Sequence, residues 1–302
     1  MFAPTALRPR DPAESWEIRF TETEGGSYFR AERTSYPRTP RRVEDIPAGA
    51  KESLEETCGF LSLEQLFVIP FAVRSIGWRG NKVISPSSVL ALGDQAVGLW
   101  TEKPTAGVKL TIPLDRVAAI EDVTVLLYGR LSFVPFGDWL TIRYNTVARR
   151  DMEPSLLELR KRLAGAAEPL PPAEQTAFGL PFKWKVILDR LLVRLEKDLP
   201  VRFSFATVPA RSRHEPGQRQ LLVMNPFELV YACDPTESTQ LYGVDSYIIP
   251  RSRIAGGRIQ GNSLEVSSNG ARITIPMEGS LREAALRWLG STGDQAAGLP
   301  AT

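Results

Sequence analysis

The stretch Ser280-Leu281-Arg282-Glu283-Ala284-Ala285-Leu286-Arg287-Trp288-Leu289-Gly290 has a near-double earlier in the chain, Ser155-Leu156-Leu157-Glu158-Leu159-Arg160-Lys161-Arg162-Leu163-Ala164-Gly165. Each opens on a Ser whose hydroxyl can accept from an amide of the first helical turn, carries a Glu three positions on, and stops at a Gly able to take positive φ. Both therefore read as capped helices, and both follow a series of strand-like segments. Two equal helices, each closing a β-rich block, predict a tandem repeat of one fold.

The first block, residues 49–165, opens on a helical lead-in with apolar residues at Leu54, Cys58, Leu61 and Leu66. A β-branched and aromatic strand follows over 67–73, and Pro70 within it marks an edge or a bulge because proline cannot donate to a ladder. After the loop 74–82, Val89-Leu90-Ala91-Leu92 and Ala96-Val97-Gly98-Leu99-Trp100 flank Gly93-Asp94, the composition of a tight hairpin. Further strands are expected over 108–113, 120–128, 130–134 and 140–144, with turns at Gly129 and at Phe136-Gly137-Asp138.

The second block, residues 182–290, repeats this order. Trp184, Ile187, Leu188, Leu191, Leu195 and Leu199 recur at helical spacing, which predicts an amphipathic helix over 182–198 that packs on a core rather than on a membrane surface. A strand over 201–205 and a polar loop over 210–219 come next. Leu221-Leu222-Val223-Met224 and Leu229-Val230-Tyr231-Ala232-Cys233 then stand where Val89 to Trp100 stood. Tyr247-Ile248-Ile249-Pro250-Arg251-Ser252-Arg253-Ile254 mirrors Leu110-Thr111-Ile112-Pro113-Leu114-Asp115-Arg116-Val117, including the Ile-Pro, and Gly261 and Gly270 match Gly129 and Gly137. The offset stays near about 133 positions, with drift in the loops, as in diverged duplicates.

Residues 1–48 read as a flexible arm with a hairpin around 16–30 and a basic, proline-broken tract over 34–42, for which a solvated connector is preferred to a partner-binding arm. Residues 166–181, with Glu168-Pro169-Leu170-Pro171-Pro172, form a Pro-rich linker, and 291–302 a disordered tail. The 302 residues are 43% hydrophobic and 24% charged, a globular composition. Basic and acidic residues number 37 and 35, too even a balance for a general nucleic-acid binder, so affinity for anions must come from local clusters. Cys58 and Cys233 make neither a disulfide framework nor a zinc spacing, and together with an N-terminus lacking a signal-peptide core they point to a cytoplasmic setting.

The hairpin "VLALGDQAVGLW", the "IPLDRV" and "IPRSRI" segments and the final amphipathic helix resemble pleckstrin-homology-like domains, the bacterial PH-like and GRAM-like modules most of all. The resemblance covers residues 59–165 and 201–290. It implies a mainly β fold with α: two tandem curled antiparallel sheets, partly open barrels, each closed by a C-terminal helix. It also implies that loops at the open end bind a phosphoinositide, an anionic lipid or a peptide.

Catalysis has little to stand on. His214 is the only histidine, in a loop with no nucleophile elbow beside it. The acidic residues Asp94, Asp115, Glu121, Asp122, Asp234 and Glu237 scatter through turns and strand ends, where solvation and turn chemistry account for them. Neither a phosphate-binding glycine loop nor a metal-ligand spacing occurs, so catalytic residues, metal and cofactors are all expected to be none. Trp100, Trp139 and Trp288 read as packing residues.

The best candidates for a site are the loops after the first strand of each block. Arg74, Arg79 and Lys82 surround Trp78 in the first, and Arg211, Arg213 and Arg219 crowd the second. Guanidinium forks match phosphate or carboxylate geometry, and tryptophan settles at membrane interfaces. The sheet edge near Pro70 offers a further place, for an extended peptide added as a strand. The function expected is non-enzymatic: a scaffold that recognises a protein partner. The alternative is a peripheral membrane module that binds anionic head groups through the basic loops, and an enzyme of unrecognised type is least favoured.

Overall fold

The computed structural model describes residues 38–69, 72–75, 81–85, 87–102, 108–125, 128–134, 140–146, 149–170, 180–192, 200–208, 217–234 and 243–289. The hairpin expected within 16–30, the turn at Gly137, Trp139, His214, Glu237, Gly290 and the tail lie outside them. Two compact units form. Among the described residues the first takes the chain up to Leu163 together with 243–245, and the second takes 164–234 and the chain from Ser246 on.

The first unit runs α1 (Ala50–Cys58), a 3₁₀ turn (Leu63–Gln65), β1 (Leu66–Ile69), β2 (Ala72–Ser75), β3 (Asn81–Ser85), β4 (Ser88–Leu92), β5 (Ala96–Thr101) and β6 (Val108–Pro113). A second 3₁₀ turn (Leu114–Arg116) leads to β7 (Ala119–Val125), β8 (Tyr128–Val134), β9 (Leu140–Asn145) and α2 (Arg149–Ala164). The second unit runs α3 (Phe182–Leu192), β10 (Arg202–Val208), β11 (Gln218–Met224), β12 (Glu228–Cys233) and β13 (Gly243–Pro250), whose first three residues group with the first unit. A 3₁₀ turn (Arg251–Arg253), β14 (Ile254–Gln260), β15 (Ser263–Ser268), β16 (Ala271–Pro276) and α4 (Gly279–Leu289) complete it.

The same series thus occurs twice: helix, four-strand meander, proline and 3₁₀ turn, three-strand meander, helix. The four-strand orders are β1-β4-β5-β6 and β10-β11-β12-β13, and the three-strand orders are β7-β8-β9 and β14-β15-β16. Among the described residues the hairpin β2-β3 is inserted between β1 and β4. Backbone hydrogen bonds repeat as well. Gly93 N donates to Ala96 O at 3.1 Å and Asn225 N to Glu228 O at 3.0 Å, each closing the hairpin between the second and third strands of its meander. Leu114 N donates to Gln95 O and Arg251 N to Phe227 O, both at 2.8 Å, so the residue after each proline returns to that hairpin's loop. Among the described residues every sheet keeps two edge strands and none closes into a barrel.

Core packing follows the apolar pattern. In the first unit Ile46, Ala50, Leu54, Cys58, Leu61, Leu66, Val68, Val89, Ala91, Ala96 and Trp100 form one cluster. α1 approaches the sheet closely because two glycines face it: a Cβ on Gly93 would stand 2.5 Å from Cys58 O, and one on Gly98 would stand 2.7 Å from both Cys58 Sγ and Leu54 Cδ2. Burial pushes the Cys58 thiol up, and Cys58 and Cys233 are both buried and outside any disulfide. In the second unit α4 packs on β10, β11, β14 and β15. Trp184 and Leu188 of α3 are buried as its helical spacing predicts, and Trp184 lies 5.6 Å from the Phe205 ring.

Several local expectations are corrected. The strand expected over 67–73 is two strands in different sheets, β1 and β2, parted at Pro70. α2 starts at Arg149, ahead of Ser155, because the buried stripe Met152, Leu156, Leu159, Leu163 begins earlier than the cap motif; Pro154 is tolerated at an exposed position. Ser155 does not cap the helix, and its hydroxyl donates to Glu64 O at 2.9 Å. In α4 the capping group is Glu278, whose carboxylate accepts from Ser280 N at 2.7 Å and from the Ser280 hydroxyl. Those bonds, the hydroxyl's first, hold the Glu278 carboxyl below the usual carboxylate range. Gly129 is no turn residue. It lies inside β8, where a Cβ would meet the Tyr144 ring at 2.5 Å. Gly270 does turn the chain, with Asn269 and Gly270 both at positive φ between β15 and β16, as a two-residue hairpin requires.

Residues 38–48 belong to the folded part. Arg38 exchanges two backbone bonds with Val68, 3.0 and 2.9 Å, on the free edge of β1, and Asp45 accepts from the amides of Arg41 and Arg42. The edge considered for an added peptide therefore holds a piece of the chain itself, next to Pro37 and Pro40. Gly93→Ala is expected to lower the unfolding free energy by about 1–3 kcal/mol, since backbone rather than a yielding side chain blocks the new methyl; denaturant titration at an unchanged m-value checks this.

Candidate functional site

The two basic connections fall at the same step of the repeated series, between the first and second strands of each four-strand order. In the first unit the register of β2 and β3 sets Arg74 opposite Lys82. Trp78 and Arg79, in the loop these strands flank, lie outside the described residues. In the second unit β10 and β11 pair up to Val208 opposite Gln218 and Thr207 opposite Arg219. Arg211 and Arg213, between those strands, also lie outside the described residues.

Arg219 is committed to a partner. Its Nε donates to Asp234 Oδ2 at 2.7 Å and its Nη2 to Oδ1 at 3.2 Å, while its backbone N donates to Oδ2 at 3.0 Å. Lys183 of α3 adds a bond to Oδ1 at 2.7 Å. Burial acts to raise the Asp234 pKa, but the bonds from Arg219 and Lys183 outweigh it and hold the carboxyl below its ordinary value. Two cations thus converge on one carboxylate at the root of the second connection.

A more deeply buried charge system lies in the first unit. Arg149, the first residue of α2, donates from Nη1 to Asp122 Oδ1 at 2.6 Å and to the Tyr144 hydroxyl at 2.5 Å, and from Nη2 to Asp122 Oδ2 at 2.5 Å. Burial opposes the Arg149 charge, but Asp122 and Tyr144 more than compensate and raise its pKa. From the adjacent residue of the same strand, Glu121 Oε1 accepts from Arg130 Nη2 at 3.0 Å, both side chains buried. The expectation that Glu121, Asp122 and Asp234 are solvated turn residues is therefore wrong: each is at least nine-tenths buried and charge-paired. One signal was present in the sequence. Adjacent acids in the strand Ala-Ile-Glu-Asp-Val-Thr-Val point to opposite faces, so one at least must enter a packed side. Asp115 is exposed as expected, and Asp94, also exposed, pairs with Arg162.

Among the described residues no group of three or more His, Cys, Asp or Glu is placed to hold a metal ion, and no helix is long and apolar enough to cross a membrane. Comparison of the chain with family models, with curated proteins and with solved structures finds no match.

Asp122→Asn is expected to cost about 3–5 kcal/mol by leaving the buried Arg149 charge only the more distant and more exposed Glu153, at 3.7 Å, as counter-ion, whereas the paired change Asp122→Leu with Arg149→Met costs far less; chemical denaturation of the three proteins measures the difference. Asp234, with its folded-state pKa depressed, contributes stability that is complete above the unfolded value of about 3.9 and is lost as the pH falls through the lower folded value. Asp234→Asn should accordingly flatten the acid limb of a plot of melting temperature against pH while lowering the neutral plateau.

Proposed function

We propose that this chain is a non-enzymatic binding protein, a cytoplasmic scaffold whose two PH-like modules recognise a protein partner. In this reading each module is a curled pair of antiparallel meanders closed by its C-terminal helix. The observation that carries it is the double occurrence of one element series with a basic connection at the same step each time. The contacts of α4 with strands of both meanders of the second unit support the closing role of that helix. The non-enzymatic part is supported by the buried acids: Glu121, Asp122 and Asp234 are each engaged in an ion pair within the fold. Two weak sites on one chain bind a partner with two matching epitopes far more tightly than either alone.

A second reading, anionic lipid head groups bound through the same connections, is favoured by Arg74 standing opposite Lys82 and by the residue types Trp78, Arg79, Arg211 and Arg213 in the loops. It places the protein at the membrane periphery.

The two readings separate in one comparison. Wild-type protein, the variant Arg74→Ala/Trp78→Ala/Arg79→Ala/Lys82→Ala, the variant Arg211→Ala/Arg213→Ala and the control Arg116→Ala are each used to capture partners from cells and are each sedimented with neutral and with phosphatidylserine vesicles. The scaffold reading expects a partner retained by wild type and control and weakened on the order of tenfold in either loop variant, with no vesicle binding at physiological salt. Salt-sensitive vesicle binding lost in the same variants favours the lipid reading instead, and capture unaffected by both variants removes the connections from the binding surface.

A further inference from the structure

A different charged group remains on the second unit. In the meander β14-β15-β16 the ladder rows Arg258, Glu265, Thr274 and Gly256, Ser267, Arg272 lie two residues apart, so they share one face. The opposite face carries Leu264, Val266, Ile273 and Ile275, all buried. On the polar face Glu265 is 2% exposed, and its Oε1 accepts from Arg258 Nε at 2.7 Å and lies 3.2 Å from Arg272 Nε. The two arginine side chains are 61% and 46% exposed. Each guanidinium turns its Nε to the same oxygen, and among the described residues the terminal nitrogens of neither make a bond.

We infer that this face is an anion clamp for phosphate, taken either as the free ion or as the phosphomonoester of a lipid head group. One carboxylate fixes two guanidiniums side by side and leaves an excess positive charge with two outward forks, the arrangement that suits a tetrahedral oxyanion. Neutralising the buried Glu265 carboxylate calls for one guanidinium, and the second is in excess of that need. The first unit makes the contrast: on its corresponding meander the Arg130–Glu121 pair has both side chains sealed from water. A second observation narrows the ligand. Glu265 Oε2 is buried and has no hydrogen-bond partner among the described residues. A ligand that keeps a proton beside its charge can donate to that oxygen once the exposed arginine side chains shift to admit it. A phosphate ester holds that proton below its second pKa of about 6, and above it where the carboxylate accepts the bond, and sulfate does not.

The clamp is separate from the basic connections, so the test decides it independently of the scaffold reading. Side-chain Nε resonances of the full-length protein are followed by ¹H–¹⁵N spectroscopy during titration with inorganic phosphate, with sulfate at matched ionic strength, and with phosphatidylcholine vesicles containing or lacking phosphatidic acid. Saturable shifts of Arg258 and Arg272 are expected with phosphate or with the phosphatidic acid vesicles, whichever acts at the lower concentration of phosphate groups identifying the source. Sulfate should be weaker on the order of tenfold, and Arg258→Ala, Arg272→Ala and the charge-preserving Arg258→Lys/Arg272→Lys should each weaken binding similarly, while Arg116→Ala leaves it unchanged. Both arginines are exposed enough for these variants to keep the fold, which the backbone spectrum checks. The proposal is overturned if neither phosphate source gives a saturable shift, if sulfate matches phosphate, or if the arginine variants bind as wild type does.

Discussion

A strand that ends on proline has no amide with which to continue its ladder at that residue, and each half of this chain is built around such an ending. At Pro113 and again at Pro250 the fourth strand of a meander stops, a single 3₁₀ turn follows, and a new meander starts. The corner is held by one backbone bond in each half, from Leu114 to Gln95 and from Arg251 to Phe227, both reaching back to the hairpin before the third strand. The direction in which the second meander leaves the first is thus set by hydrogen bonds the chain must satisfy wherever water is excluded. In the second unit the corner also fixes what precedes it. Arg251 donates to Glu168 O and Pro169 O at 3.0 Å and to Asn225 O at 3.3 Å, and Ser252 donates to Ala164 O at 3.0 Å, so Ala164 and, from the Pro-rich segment expected over 166–181, Glu168 and Pro169 are tied to the corner.

The charges sort by burial into two kinds. Asp122 with Arg149 and Glu121 with Arg130 are withdrawn from water, where an unpaired partner would be costly and the pair fixes geometry more than it adds stability. Asp234 with Arg219 and Lys183, and Glu265 with Arg258 and Arg272, each join one buried acid to two cations that keep partial exposure. Groups of the second kind retain charge that can meet something outside the chain.

Most elements were legible in the residues. The bounds 108–113 were met by β6 to the residue, and the strands around Gly93 and around residues 225–227 were placed within a few positions, because apolar alternation and turn chemistry are local. The helix starts were not. A Ser followed by Glu three residues on describes Ser155 and Ser280 equally well whether or not the hydroxyl caps, and in α2 burial of Met152 one turn earlier decided the outcome. The candidate site was legible as two clusters of basic residue types, but the sequence held nothing to say that Arg219 would be taken by Asp234, which lies on the far side of a hairpin.

The sequence by itself determined that the chain is β-rich, that its order of elements is written twice, and that cysteine, tryptophan and aliphatic side chains would fill the interior, since periodicity and composition act over a few neighbours. Tertiary structure alone decided which charges are buried, which edge Arg38 occupies, that the glycines at 93 and 98 admit a helix, and that no described sheet closes. Each of these depends on groups far apart in the chain meeting at a distance of a few ångströms, where desolvation and steric exclusion are settled by the partner and not by the residue.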